Sequence, residues 1–288
     1  MFVQFLFSGL TVGATYALSA LGFTLIYNAS NIINFAQGEF IMLGGMLTVF
    51  FVHSGLPLPI SVILAVIAPA AVGILLERFA IEPARGAGTV NLIIITIGAS
   101  LVIRGVIQIW LGKGAHILAP FSGSEPIAIG EATLLPQSLW VLGVAAVMVA
   151  ALWLFFRHTV VGKAMLATSY NHLAAQLVGI STQWVLRMSF ALSAAMGAVA
   201  GILLTPITLT SYDVGIMLGL KGFVAAVVGG LGSGLGAVAG GLFVGLVEAL
   251  AAGYISSAYK DAVPFVLILI FLFFVPRGLF GAKVTERV

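Results

Sequence analysis

The chain has 288 residues, of which 61% are hydrophobic and 7% charged; a soluble domain carries about a quarter charged residues. A mean hydropathy of +1.21 over the whole length excludes a water-soluble globule and makes membrane lipid the solvent, and the lack of cysteine excludes disulfides, thiolate metal sites and thiol nucleophiles. The net charge of +3 does not indicate a nucleic-acid partner, because the Lys and Arg residues sit singly at the ends of apolar runs and never form a patch.

Crossing a hydrocarbon core of ~30 Å takes roughly 20 mostly apolar residues in helical form. The first such run is Phe2–Tyr27. No basic region precedes it, so it is read as a spanning helix and not as a cleaved signal. The second, Phe35–Val52, follows a polar island that runs from Asn28 through Asn31, Asn34 and Gln37 to Glu39. Asn34 and Gln37, three residues apart, resemble a capping box, and Glu39 falls in the first helical turn, where the helix dipole favours negative charge. Two readings stand: a capped turn at the membrane face, or unwound backbone lining a water-filled path, the setting in which irregular polar backbone is tolerated at depth.

Further runs are Ile60–Ala80, Val90–Leu111, Ser138–Phe156, Met188–Thr205 and Ala237–Tyr254, with shorter ones at Val214–Val228 and Ala262–Val275. These predict an all-α polytopic bundle of about nine spans or re-entrant segments in a single domain over 1–288. Strand-type alternation is lacking, which argues against a membrane barrel. Arg78, Arg85, Arg157, Lys163, Arg187, Arg277, Lys283 and Arg287 then fall on one side, with Lys113, Lys221 and Lys260 toward the other. The positive-inside bias places the N-terminus outside and the C-terminus in the cytoplasm.

The polar stretch near 112–137, with Glu125, Glu131 and three prolines, is expected to be external. The stretch near 157–187 is expected to be cytoplasmic. Within it Leu166, Tyr170, Leu173 and Leu177 recur at helical spacing, Asn171 suits an N-cap and Gly179 a C′ position. Such a stripe fits either docking into a partner's groove or lying on the bilayer surface. Arg104, Lys221 and Glu248 interrupt apolar runs. Counting ~1.5 Å per residue puts them at similar depth, so Glu248 is expected to pair with one of the two basic groups.

Catalytic chemistry finds no support. There is no G-x-x-x-x-G-K-[ST] phosphate loop, no H-E-x-x-H and no G-x-S-x-G, and the four histidines stand alone. The run from Gly232 to Ala237 matches G-x-G-x-x-A in form but has no strand before it, so a tight turn between helices explains it better. Pairs such as Gly9/Gly13, Gly197/Gly201 and Gly241/Gly245 suit close helix packing in lipid.

Several stretches, in order along nearly the whole chain, resemble the membrane-permease subunit of bacterial branched-chain amino-acid ABC importers. They are Gly9–Leu18, Ile32–Glu39, Glu77–Arg85, Gly162–Met165, Leu177–Ile180, Lys221–Ser233 and Tyr259–Asp261. One departure is Glu82, where the family commonly has a basic residue before Pro83. The resemblance implies a multi-pass protein of the bacterial inner membrane that partners a second permease, two ATP-binding subunits and a periplasmic solute-binding protein. It also implies that ATP and Mg²⁺ are used by the partner subunits, with no cofactor or metal site in this chain. The segment around 167–179 resembles the family's cytoplasmic coupling loop. Related permeases serve urea, short amides or other amino acids, and the sequence does not choose among them. A rival of another class is an ion-coupled secondary transporter with Glu39 or Glu248 as proton carrier; a requirement for ATP in vesicle uptake separates the two.

Overall fold

A computed structural model describes residues 2–129 and 132–281, so Glu131, Lys283 and Arg287 lie outside the described residues. The apolar runs fold as helices: α1 Phe2–Ser30, α2 Gln37–His53, α3 Leu58–Leu76, α4 Thr89–Leu111, α5 Pro136–His158, α8 Thr182–Thr208, α9 Val214–Gly229, α10 Gly234–Tyr254 and α11 Val263–Phe274. Two short helices, α6 Val160–Tyr170 and α7 His172–Leu177, lie between α5 and α8. Six of the helices are long and apolar enough to cross a membrane; α2, α9 and α11 have 17, 16 and 12 residues. The fold class is therefore all-α. Its one small exception is an antiparallel hairpin, β1 Ile127–Ile129 with β2 Ala132–Leu134, inside the loop between α4 and α5.

Most helix ends lie within a few residues of the apolar runs, and the largest differences have local causes. α8 starts at Thr182, six residues ahead of its apolar run, because the Ser181 side chain accepts from Trp184 N–H and caps the extra turns. α3 gives way after Leu76 to a π-helical turn, Glu77–Ile81, then to a 3₁₀ turn at Glu82–Ala84 that carries Pro83.

α1 is the hub. It packs on α10, α8, α9 and α5, and 89% of its most apolar stretch is buried, against 22% for α3 and α4 and 17% for α5. The latter three form an outer girdle whose apolar faces need lipid or another subunit to cover them. Small residues make the close crossings. Gly9 lies against Leu246, Gly13 against Leu242 and Ala17 against Gly241, so α1 and α10 run antiparallel with their backbones nearly touching. Gly38 meets Gly215 and Gly219 in the same way, joining α2 to α9.

Two ends of the bundle follow from the contacts. At one, Gln4 bonds Thr133, Phe5 packs edge-on to Tyr254, and His116 pairs with Thr210. At the other, Asn28 donates to the Gly232 carbonyl, Arg187 reaches Glu77 and Glu82, and Leu279 and Phe280 donate to the Val228 and Gly229 carbonyls. The second end carries Arg78, Arg85, Arg157, Lys163, Arg187 and Arg277.

Candidate transport pathway and coupling segment

α1 stops at Ser30, and Asn31 takes a left-handed conformation (φ 56°), one that side chains as short as asparagine's tolerate. The chain then turns back into the bundle. Gln37, the first residue of α2, sits beside Gly22, which is eight positions, or ~12 Å of helix, from the end of α1. A Cβ at position 22 would occupy the place of the Gln37 amide and push that side chain out of its present position. Gln37 Nε2 donates to the Ser193 carbonyl at 3.1 Å, while Ser193 Oγ lies 2.6 Å from Gln37 Oε1 and 2.8 Å from the Gly22 carbonyl. Three helices meet at that knot.

The expected capping box does not form. Ala36 holds the N-cap position without a side-chain bond, Asn34 Oδ1 accepts from Ala36 N–H instead, and Gln37 is drawn to α8. Nor does the turn lie at an edge of the bundle: Asn34, Gln37 and Glu39 are 0%, 0% and 1% exposed. The buried backbone N–H of Phe35 is satisfied by Thr96 Oγ from α4. Ser100 Oγ and Arg104 Nη2 both donate to Glu39 Oε1 at 2.7 Å. Thr96, Ser100 and Arg104, at four-residue spacing, are thus a polar stripe on an otherwise apolar helix, and it faces the broken start of α2. Buried Glu39 Oε2, Arg104 Nε and Asn34 Nδ2 have no hydrogen-bond partner among the described residues. The five candidates on the polar island are not gathered at one place. Asn34, Gln37 and Glu39 line the α2 entry, whereas Asn31 is exposed and Asn28 braces the turn between α9 and α10.

Arg104, Lys221 and Glu248 also divide. Lys221 Nζ lies 2.7 Å from Glu248 Oε1 and 2.5 Å from Asp261 Oδ1, and the Tyr16 hydroxyl donates to Glu248 Oε2 at 2.9 Å. Arg104 is not an alternative partner for Glu248, because α4 packs chiefly on α2 and the π turn and does not approach α10. Depth along separate helices gave no information on which faces met. Asp261 was not expected here. It stands in the 3₁₀ turn Lys260–Ala262, where the Lys221 ammonium holds its carboxyl below the usual carboxylate range against a smaller opposing effect of burial.

A third charged cluster ties the π turn to α8. Fully buried Glu77 accepts from Arg85 at 2.8 Å and Arg187 at 3.2 Å, and Arg187 also holds Glu82 at 2.7 Å. Glu82, the departure noted in the sequence, therefore gives Arg187 a second carboxylate.

The segment from 157 to 187 is a series of capped joints. Thr159 Oγ accepts from Gly162 N–H to start α6, and Asn171 Oδ1 accepts from Ala174 N–H to start α7. Gly179, at φ 86°, supplies the left-handed residue after α7. The apolar stripe expected on one helix is split at Asn171, whose extended backbone separates two helices. Tyr170, Leu173 and Leu177 are 88%, 73% and 88% exposed, whereas Leu166 turns partly inward against a crevice beside α1.

Residues 5–272 match the family described as the permease component of the branched-chain amino acid transport system. The chain is 34% identical to the high-affinity branched-chain amino acid transport system permease protein LivH of Salmonella typhimurium over 304 aligned positions, covering all of this chain and 98% of that protein. It is 32% identical to the corresponding protein BraD of Pseudomonas aeruginosa, again over all of this chain and 98% of the other. Among solved structures, PsaBC from Streptococcus pneumoniae in complex with Fab matches with a TM-score of 0.50 at 15% identity, over 96% of this chain and 92% of that one, a likeness of fold alone.

Proposed function

The chain belongs to the permease-component family of branched-chain amino-acid transport systems, and from that premise we propose that it is one pore subunit of an ATP-driven importer of branched-chain amino acids in the bacterial inner membrane. The observation that carries the reading is the family match across residues 5–272. In this reading the chain pairs with a second permease subunit, receives solute from a periplasmic binding protein, and is driven by two ATP-binding subunits that use ATP and Mg²⁺. The basic end of the bundle faces the cytoplasm by the positive-inside bias. Tyr170, Leu173 and Leu177 there present large apolar side chains on short rigid helices, which suits seating in a groove of an ATP-binding subunit. The buried entry of α2 contributes the polar lining: Asn34 and the Glu39–Ser100–Arg104 group bring hydrogen-bonding atoms to a depth otherwise made of hydrocarbon. Rocking of rigid helices about that fixed lining would open the pathway to each face in turn.

The test is uptake into vesicles that hold the assembled complex. ATP-dependent accumulation of leucine, isoleucine or valine, abolished when the ATP-binding subunits are omitted, is the expected result. Uptake driven by a proton gradient without those subunits would overturn it.

A further inference from the structure

Helices α5 and α10 both pack on α1 without packing on each other, which leaves a crevice near the basic end of the bundle. It holds about 270 Å³. Its walls are mostly hydrocarbon: Leu21 and Leu25 of α1, Leu152 and Phe156 of α5, and Val238 of α10, with Leu166 of α6 closing one end. Trp153 and Leu235 on the two lips are 53% and 74% exposed, so the opening is sideways, out of the bundle. An apolar cleft does not hold ordered water, and one that opens into the hydrocarbon layer fills with hydrocarbon.

Three further features make the cleft more than a generic groove. The Arg157 guanidinium stacks 4.9 Å from the centre of the Trp153 ring, fixing a cation at the lip. Lys163, exposed one turn before Leu166, adds a second, and neither cation has an ion-pair partner among the described residues. Within the crevice the Thr24 hydroxyl, on a residue 2% exposed, has no hydrogen-bond partner among the described residues. An apolar trough with a free hydroxyl inside and two unpaired cations at its rim matches a molecule with an acyl chain, ester oxygens and an anionic head.

We propose that this crevice is a binding site for an anionic phospholipid, with an acyl chain between α5 and α10 and the phosphate held by Arg157 and Lys163. The inference requires only that the chain sits in a bilayer and does not depend on which solute is transported. Bound there, the lipid touches α1 and α6 together and links the hub of the bundle to the segment that leads into α7.

The experiment is cryo-electron microscopy of the assembled complex in nanodiscs of phosphatidylcholine with brominated-chain phosphatidylglycerol, paired with lipid extraction from the purified complex. Bromine density in the crevice is expected, with phosphatidylglycerol enriched several-fold over its share of the disc. In the double variant Arg157→Gln, Lys163→Gln that enrichment should fall to the bulk ratio, and Val149→Phe, which narrows the trough, should remove the density. The charge variants are on the surface, so assembly is expected to survive them. A crevice without lipid density, one filled by a protein segment of a neighbouring subunit, or enrichment unchanged by the charge variants would overturn the proposal.

Discussion

Two buried acid–base groups sit in the same bundle and are built differently. Lys221 is held by Glu248 and Asp261, and Tyr16 closes the remaining Glu248 oxygen, so that group ties three helices and a turn with its charges paired. Glu39 and Arg104 share a single bridging oxygen, with Glu39 Oε2 and Arg104 Nε left without partners among the described residues. The first is enclosed by α1, α9 and α10 in the hub. The second joins α2 to α4, a helix that has few other neighbours. A saturated cluster is suited to holding helices in place; an unsaturated one keeps bonding capacity for water, solute or an altered helix arrangement.

The largest expected effect breaks the saturated cluster. Glu248→Gln leaves Lys221 with only half-exposed Asp261, and losing one partner of a buried pair costs about 3–5 kcal/mol. The drop should appear as a lower unfolding temperature and reduced yield of assembled complex, while Glu125→Gln in the loop between α4 and α5 changes neither. If both variants behave alike, the cluster has no special role in assembly. Glu39→Gln should separate the two groups in kind. The Arg104 side chain is 20% exposed against 6% for Lys221, so the stability loss is expected to be smaller, about 1–3 kcal/mol, while substrate uptake is lost. Normal uptake in a folded Glu39→Gln protein would reduce this group to a structural tie.

Leu173→Asp lies outside both clusters and serves as the control for them. It is expected to leave the unfolding temperature unchanged within about 0.5 kcal/mol and to abolish co-purification of the ATP-binding subunits. Retained co-purification would favour a bilayer-surface role for α7. The smallest effect concerns acidity. Because Lys221 depresses the Asp261 carboxyl, its stabilising contribution is present above the unfolded pKa and disappears as pH falls through the lower folded one. With a half-exposed side chain, the increment should be under about 1 kcal/mol. Acid titration of the unfolding temperature should show it in the parent and not in Asp261→Asn.

The sequence made the helices legible because apolar length is a one-dimensional property, and each predicted run corresponds to a helix. What it did not reveal depends on which faces meet. The pairing of Arg104 with Glu39 was hidden, because Glu39 reads as the first turn of a helix that begins at the membrane face, whereas the buried entry of α2 carries it to the depth of Arg104. Asn34 and Gln37 looked like a cap because their spacing is local, whereas Gln37 is claimed by Ser193, 156 positions away. A usable signal was overlooked at Thr96, Ser100 and Arg104: polar residues four apart on a lipid-facing helix announce a buried polar partner. Asp261 had a weaker one, as an acid just past the end of the helix that carries Glu248.

The three side-chain caps between α5 and α8 have a mechanical consequence. Thr159 and Asn171 each end one helix and begin the next, and Ser181 begins α8 shortly after α7 ends at Leu177, so the basic end of the protein is a linkage with fixed bars and defined pivots. Its last bar, α8, is bolted to the π turn through Arg187, Glu77 and Glu82. A displacement applied at α7 therefore has a short lever path to the end of α3, and the stroke it delivers is set by bar lengths more than by the strength of any one contact.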